Sequence, residues 1–176
     1  MNFKIGIIGM EKTGKTSLIN AVQNKYELKI EYSGILSFNI YSIKFNTSMG
    51  QINLNIWDII NNDKPAILGY YDLEHIYIGA DAFILNYDIG NMSTLNGLGG
   101  LIKVVNGKID GRKLITVGCK SDLQDHEINF EQLNTLPLIS GHFITSANQP
   151  DTCCNMFESL IKILVNNQDI TFNSVE

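Results

Sequence analysis

Apolar positions in this chain alternate between short continuous runs and helically spaced sets. Phe3-Lys4-Ile5-Gly6-Ile7-Ile8 is a run of the first kind and predicts a strand over about 3–8. Ser17-Leu18-Ile19-Asn20-Ala21-Val22 belongs to a helical stretch over about 15–24. A polar stretch over 24–34 leads to two strands, about 38–45 and 52–57, joined by Asn46-Thr47-Ser48-Met49-Gly50. So short a connection makes that pair antiparallel. Next come a helix near 67–78, the buried run Ala82-Phe83-Ile84-Leu85-Asn86-Tyr87 and a helix near 94–105. A strand over 113–118, a short helix near 129–135, a strand over 142–145 and an amphipathic helix over 152–165 complete the set. The pattern predicts an α/β fold: a six-stranded, mostly parallel sheet with one antiparallel edge strand and helices on both faces. Residues 1–170 read as one domain, and 171–176 as a short C-terminal tail.

The most specific local signal lies between the first strand and the first helix. Gly9-Met10-Glu11-Lys12-Thr13-Gly14-Lys15-Thr16 has the G-x-x-x-x-G-K-[ST] spacing of a phosphate-binding loop. Strand, glycine turn and helix form the setting that gives the spacing physical meaning. Gly9 and Gly14 let the backbone curl, so that successive N–H groups through Glu11, Lys12, Thr13 and on to Ser17 turn toward phosphate oxygens. The helix N-terminus adds its positive dipole end at the same point. Lys15 brings a point charge to the β- and γ-phosphates and is a candidate catalytic residue. The Thr16 hydroxyl is a candidate Mg²⁺ ligand. The loop implies binding of a nucleoside triphosphate.

Composition narrows the setting. The chain has 176 residues, enough for one domain with a sizeable core, and 44% hydrophobic with 18% charged residues suits a soluble globular protein. A net charge of −5, with no dense Lys/Arg cluster, argues against nucleic acid as a partner. Cys119, Cys153 and Cys154 are odd in number and lack a disulfide framework, which predicts an intracellular, reduced chain. No segment approaches the roughly 18 apolar residues of a membrane span, and the opening strand leaves no room for a cleavable signal. His75, His126 and His142 have no metal-ligand spacing.

Further segments bring a family resemblance. Trp57-Asp58, Gly118-Cys119-Lys120-Ser121-Asp122 and Thr145-Ser146-Ala147-Asn148 stand where a small GTPase of the Ras superfamily has W-D-x-x-G, N-K-x-D and S-A-K. Gly79-Ala80-Asp81-Ala82-Phe83-Ile84-Leu85-Asn86-Tyr87-Asp88 is similar to a stretch of Rab proteins. The chain thus resembles a Rab-like small GTPase with atypical motifs, and the resemblance implies GTP/GDP and Mg²⁺ as ligands. It implies that Asp58 holds Mg²⁺ through a water and that Asp122 accepts the ring N–H and exocyclic amine of guanine. It also implies that Lys120 packs its stem on the base and that Ser146, Ala147 and Asn148 line the base loop. Ser33-Gly34-Ile35-Leu36-Ser37-Phe38 resembles the switch I segment of Rab proteins, which makes Ser33 the metal-binding hydroxyl, with Ser37 the alternative.

Departures from the family pattern converge on turnover. Asn61 replaces the glycine whose N–H approaches the γ-phosphate, although Asn tolerates left-handed backbone better than most residues. Asn62, the second candidate catalytic residue, replaces the glutamine that orients the attacking water and is one methylene shorter. Glu11 places a carboxylate where a partner's arginine would enter, and the segment from Asp58 to Gly79 is longer than in typical Rab proteins. Cys119 replaces the asparagine that contacts the base and ties its loop to the phosphate loop. Loss of one good hydrogen bond there would cost on the order of 0.5–1.5 kcal/mol. The only arginine, Arg112, precedes the fifth strand of this reading, far from the phosphates.

The leading expectation is a guanine-nucleotide switch with slow or impaired hydrolysis, in vesicle trafficking or signalling. The alternative is a pseudo-GTPase scaffold that binds GTP weakly or not at all and works through protein contacts. Phe38 and Trp57, with Tyr70, Tyr71 or Tyr77, resemble the aromatic patch through which Rab proteins meet partners, so an effector, exchange factor or activating protein is expected at the switch regions. Phe38 and Trp57 read equally well as packing residues. No C-a-a-X ending is present. Membrane association is therefore expected only through a tail absent from this sequence or through a partner, with a location in the cytoplasm or peripherally on the cytosolic face of membranes.

Overall fold

The first apolar run is a strand, β1 (Asn2–Gly9), and it lies inside the sheet. Its neighbours are β4 (Gly50–Ile59) and β5 (Ala82–Asp88), both parallel to it, with Ile5 opposite Ile56 and Ile7 opposite Ile84. A strand covered on both faces reads as a continuous apolar run. This explains why Ile5, Ile7 and Ile8 are all buried. The computed structural model describes residues 1–32, 38–59, 75–106, 112–123 and 139–173.

Beyond β5 come β6 (Lys113–Cys119) and β7 (Ile139–Ile144), again parallel. On the other side, β4 pairs antiparallel with β3 (Phe38–Thr47), and β3 with β2 (Glu27–Tyr32). A two-residue β8 (Phe172–Asn173) pairs with Thr47 and Asn46, next to the part of β3 that β2 covers. Among the described residues the order is β2-β3-β4-β1-β5-β6-β7, eight strands with β8.

Two expectations need correction here. Among the described residues the sheet has eight strands rather than six, and β3 is an interior strand rather than the edge. β2, which forms within the stretch read as polar, pairs with the outer side of β3 and adds one strand; β8, in the expected tail, adds the other. Glu27-Leu28-Lys29-Ile30-Glu31 alternates charge and aliphatic side chain, the two-residue period of a strand, with Leu28 half-buried and Ile30 exposed. Glu27 stands opposite Lys44 and is ion-paired to it at 3.2 Å and to Lys29 at 3.0 Å. Charged side chains of this kind are how natural sheets protect an open edge. Phe172, from the expected tail, lies edge-on to Phe45 with ring centres 6.2 Å apart.

Alternation along the central strands sends side chains to two separate cores. Ile5, Ile7, Ala82, Ile84, Ile115 and Val117 face one side. There they meet α1 (Lys15–Asn20) and the long helix α3 (Pro150–Val165) through Leu18, Ile19, Phe157, Leu160 and Ile161. Ile8, Phe83, Leu85, Tyr87 and Leu114 face the other side. Their cover is α2 (Met92–Asn106), through Leu95 and Leu98, together with Ile76 and Tyr77. Helix α3 begins with Pro150 in its first turn and ends at Asn166, whose left-handed backbone (φ 52°) closes it. Of the helix expected near 67–78, residues 75–78 are described; 75–77 are helical and Ile78 lies in a turn. The helix expected near 129–135 lies outside the described residues.

Candidate nucleotide-binding site

Parallel strands bring their C-terminal ends to one edge of a sheet, where α/β proteins place their ligands. At that edge stand Gly9 of β1, Asp58 of β4, Asp88 of β5 and Cys119 of β6. The loop after β1 is tightly wound. Gly14 has φ 96°, a left-handed conformation that suits glycine, and Lys12 has φ 61°. Thr13, fully buried, donates its hydroxyl to the Met10 carbonyl at 2.9 Å. A β-carbon on Gly9 would collide with the Asn86 carbonyl, so the loop leaves the sheet where a side chain has no room.

Lys15 folds its ammonium back over this loop and donates to the carbonyls of Gly9 (3.2 Å) and Met10 (2.9 Å). Burial lowers its pKa, while the carboxylates of Asp58 and Glu11 pull the other way. Thr16 donates its hydroxyl to Oδ2 of Asp58 at 2.6 Å. Asp58 is buried, and burial raises its pKa against the Thr16 bond and the Lys15 charge. Its Oδ1 has no hydrogen-bond partner among the described residues. An orphaned carboxylate oxygen beside a hydroxyl is a hard-oxygen donor set, and it fits Mg²⁺. Glu11, Lys12 and Ser17 lie on the exposed side of the loop and of α1.

A second loop system closes the other end. Lys120 has φ 67°, and its ammonium pairs with Asp88 at 2.6 Å. Ser121 and Thr145 join the loops after β6 and β7 through backbone bonds, Ser121 N–H to Thr145 O and Thr145 N–H to Gly118 O. Asp122 accepts on both oxygens, from the Ser146 hydroxyl (2.5 Å) and the Asn148 amide (2.7 Å). These bonds hold its pKa below the ordinary aspartate value. Thr152, in the first turn of α3, accepts the Ser146 N–H at 2.9 Å and fixes that loop to the helix. Between the two loop systems is a cleft of about 240 Å³, lined by Gly14, Cys119, Lys120, Asp122, Ala147 and Asn148 among others.

The structure therefore brings together the loop residues Gly9 to Ser17, Asp58, and the base-loop residues Cys119, Lys120, Asp122, Ser146, Ala147 and Asn148. Ser33, Ser37, Asn61, Asn62, Tyr70 and Tyr71 lie outside the described residues. Of the aromatic patch, Phe38 and Tyr77 are buried, 3% and 4% exposed, and Trp57 is half-buried. Phe38 packs on Trp57 with ring centres 4.7 Å apart, and the Lys4 ammonium sits 3.8 Å over the indole. Arg112 precedes β6, at the sheet edge opposite the phosphate loop, and is tied to the Tyr77 carbonyl. Sequence reasoning assigned no role to Asp88, Asn86 or Thr152. A signal for the first two existed: polar residues at or near the C-terminal end of an otherwise apolar parallel strand.

A parallel sheet whose inner strand feeds a wound glycine loop and then a helix defines the class, a P-loop nucleotide-binding domain. Comparison with known proteins narrows it. Residues 4–166 match the Ras family. The chain is 33% identical over 173 residues to the Ras-related protein RabY of Dictyostelium discoideum, covering 92% of this chain and 71% of that protein. It is 23% identical over 176 residues to the Ypt/Rab-type GTPase ypt7 of Schizosaccharomyces pombe, covering 94% and 83% respectively. This chain belongs to the Ras family, as a Rab-like small GTPase.

Proposed function

We propose that this chain is a guanine-nucleotide-binding switch of the Ras/Rab type, acting in vesicle trafficking or signalling, with slow intrinsic hydrolysis of GTP. One arrangement carries the reading: Asp122, locked as a two-oxygen acceptor by Ser146 and Asn148, shares a cleft with the phosphate-type loop. Guanine offers two adjacent donors to such a carboxylate, and adenine does not. Ala147 presents its backbone N–H to the guanine oxygen. Lys15 exchanges its loop carbonyls for phosphate oxygens. Thr16 and Asp58 would hold Mg²⁺, which when bound neutralises charge between the β- and γ-phosphates.

Slow turnover follows from the residues around the γ-phosphate. Asn62 is shorter than the water-orienting glutamine, Asn61 hinders the approach of its own N–H, and Glu11 adds negative charge at the loop. Positioning and transition-state charge are the two terms that carry phosphoryl transfer, and each change acts on one of them. The sole arginine is at the far sheet edge, so no guanidinium assists in cis. Partners meet the switch regions, with Trp57 as the accessible described aromatic of the patch.

The test combines nucleotide content with single-turnover kinetics. The purified protein should carry GTP or GDP, release it faster when Mg²⁺ is chelated, and bind more weakly as Lys15→Ala or Thr16→Ala. Phosphate release should run at or below the Ras scale, on the order of 10⁻⁴ per second, and Asn62→Gln should raise it. A parent rate above about 10⁻² per second would remove the slow-switch reading. Failure to bind any guanine nucleotide would favour the scaffold instead.

A further inference from the structure

Asn86 interrupts the apolar run of β5 and is fully buried. An amide in such a place is costly unless it is hydrogen-bonded. Its Nδ2 donates to the Thr13 carbonyl at 3.4 Å and to the Cys119 sulfur at 3.1 Å. Its Oδ1 finds no partner among the described residues. One side chain therefore spans from the phosphate loop to the end of β6, where the base loop begins.

The register explains how it gets there. Asn86 lies opposite Val117, and Asp88 opposite Cys119, so Asn86 and Cys119 are diagonal neighbours on one face of the sheet. The two loops also touch directly: a β-carbon on Gly14 would stand 3.2 Å from Cβ and 3.5 Å from Sγ of Cys119. A small thiol at 119 leaves the gap that the Asn86 amide enters. Burial keeps that thiol protonated, and its sulfur lies 3.5 Å from the Thr145 hydroxyl.

We propose that Asn86 is a positioning residue for nucleotide binding, which carries from the neighbouring strand the loop-to-loop tie that the N-K-x-D pattern places at position 119. Asn86 and Cys119 act as one exchanged pair: the amide has moved across the sheet, and the thiol makes room for it. The effect on affinity rests on the guanine-nucleotide reading above. The tie itself does not, because it joins protein groups alone. One consequence is that restoring the family asparagine at 119 brings no gain by itself, since the Asn86 amide already makes the tie.

Four proteins test this: the parent, Asn86→Val, Cys119→Asn and the double variant. Two readouts are taken, release of labelled GDP and hydrogen exchange of the amides of residues 10–14 in nucleotide-free protein. Valine suits a buried strand, and removing an amide with an unpaired oxygen should leave thermal stability at or above the parent's. Asn86→Val should release GDP about threefold to tenfold faster, the scale of one lost hydrogen bond, and its loop amides should exchange faster. Cys119→Asn alone should not slow release. The double variant should return both readouts to within about twofold of the parent. Parental release and exchange in Asn86→Val would overturn the proposal, as would a double variant no better than Asn86→Val. If valine is not tolerated, Asn86→Ser, too short to reach Thr13, should give the same faster loop exchange. A parent that binds no guanine nucleotide but whose loop exchange responds to Asn86→Val leaves the tie standing and removes the functional reading alone.

Discussion

Asp122 is held by two neighbouring side chains, and that fixes both its orientation and its charge. The bonds from Ser146 and Asn148 depress its pKa, so it remains an acceptor on both oxygens through the neutral range. The sign follows directly. A depressed carboxyl contributes stability that is present above its ordinary pKa, about 3.9, and is lost only as pH falls through the lower folded value. The preference for GTP over ATP should therefore be flat from about pH 8 to pH 5, as measured by competition against a labelled guanine nucleotide. A decline centred near pH 6 would point to a different titrating group. Asp122→Ala should abolish the preference while leaving binding through the phosphates.

Helix α3 is the element on which the base end of the site depends. It covers one face of the sheet with Cys153, Met156, Phe157, Leu160 and Ile161, and its first turn holds the Ser146 loop through Thr152. Packing and site geometry thus share one helix. Phe157→Ala should cost about 3–5 kcal/mol in urea unfolding, the range for an aromatic deletion in a packed core. Thr152→Ala removes the hydroxyl's bonds to Ser146 and to the Gln149 carbonyl but no apolar packing, so it should weaken guanine binding with a smaller loss in unfolding than Phe157→Ala. Equal losses of stability in the two variants would contradict this division of roles. The spacing of α3 was legible in the sequence because a helix that covers a sheet repeats its apolar positions every three to four residues. Strand β2 was not recognised, because a short strand at the end of the sheet order carries enough charge to read as a loop.

For the whole molecule, the three cysteines report on how tightly the two layers close. Cys119, Cys153 and Cys154 are free and buried, and burial pushes each thiol up, Cys153 to about 12. In the unfolded chain thiols ionise near 8.5. Stability should accordingly fall as pH rises above about 8.5 toward the folded value, since only the unfolded form then sheds its protons. Thiol labelling of the native protein at pH 8 should be slow, and all three should react once urea opens the fold. Cys119, which lines the cleft, should be the first to react and should be protected by bound GDP. Immediate labelling of Cys153 in the native state would contradict the packing of α3 on the sheet.

The sequence by itself determined the elements whose information is local. A phosphate-type loop needs two glycines, a lysine and a hydroxyl at fixed spacing, and a buried parallel strand needs an unbroken apolar run. Both are written in consecutive residues. The loop after β6 was marked out in the same way, through Lys120 and Asp122, and the structure sets both beside the cleft. The tertiary structure alone decided which residues meet across strands: Asn86 with Thr13 and Cys119, Asp88 with Lys120, and Glu27 with Lys44. These contacts depend on strand order and on register between segments 17 to 73 residues apart. A substitution at 119 looks like a simple loss when read along the chain. In the folded sheet, a neighbouring strand brings the Asn86 amide to its sulfur and to the phosphate-type loop.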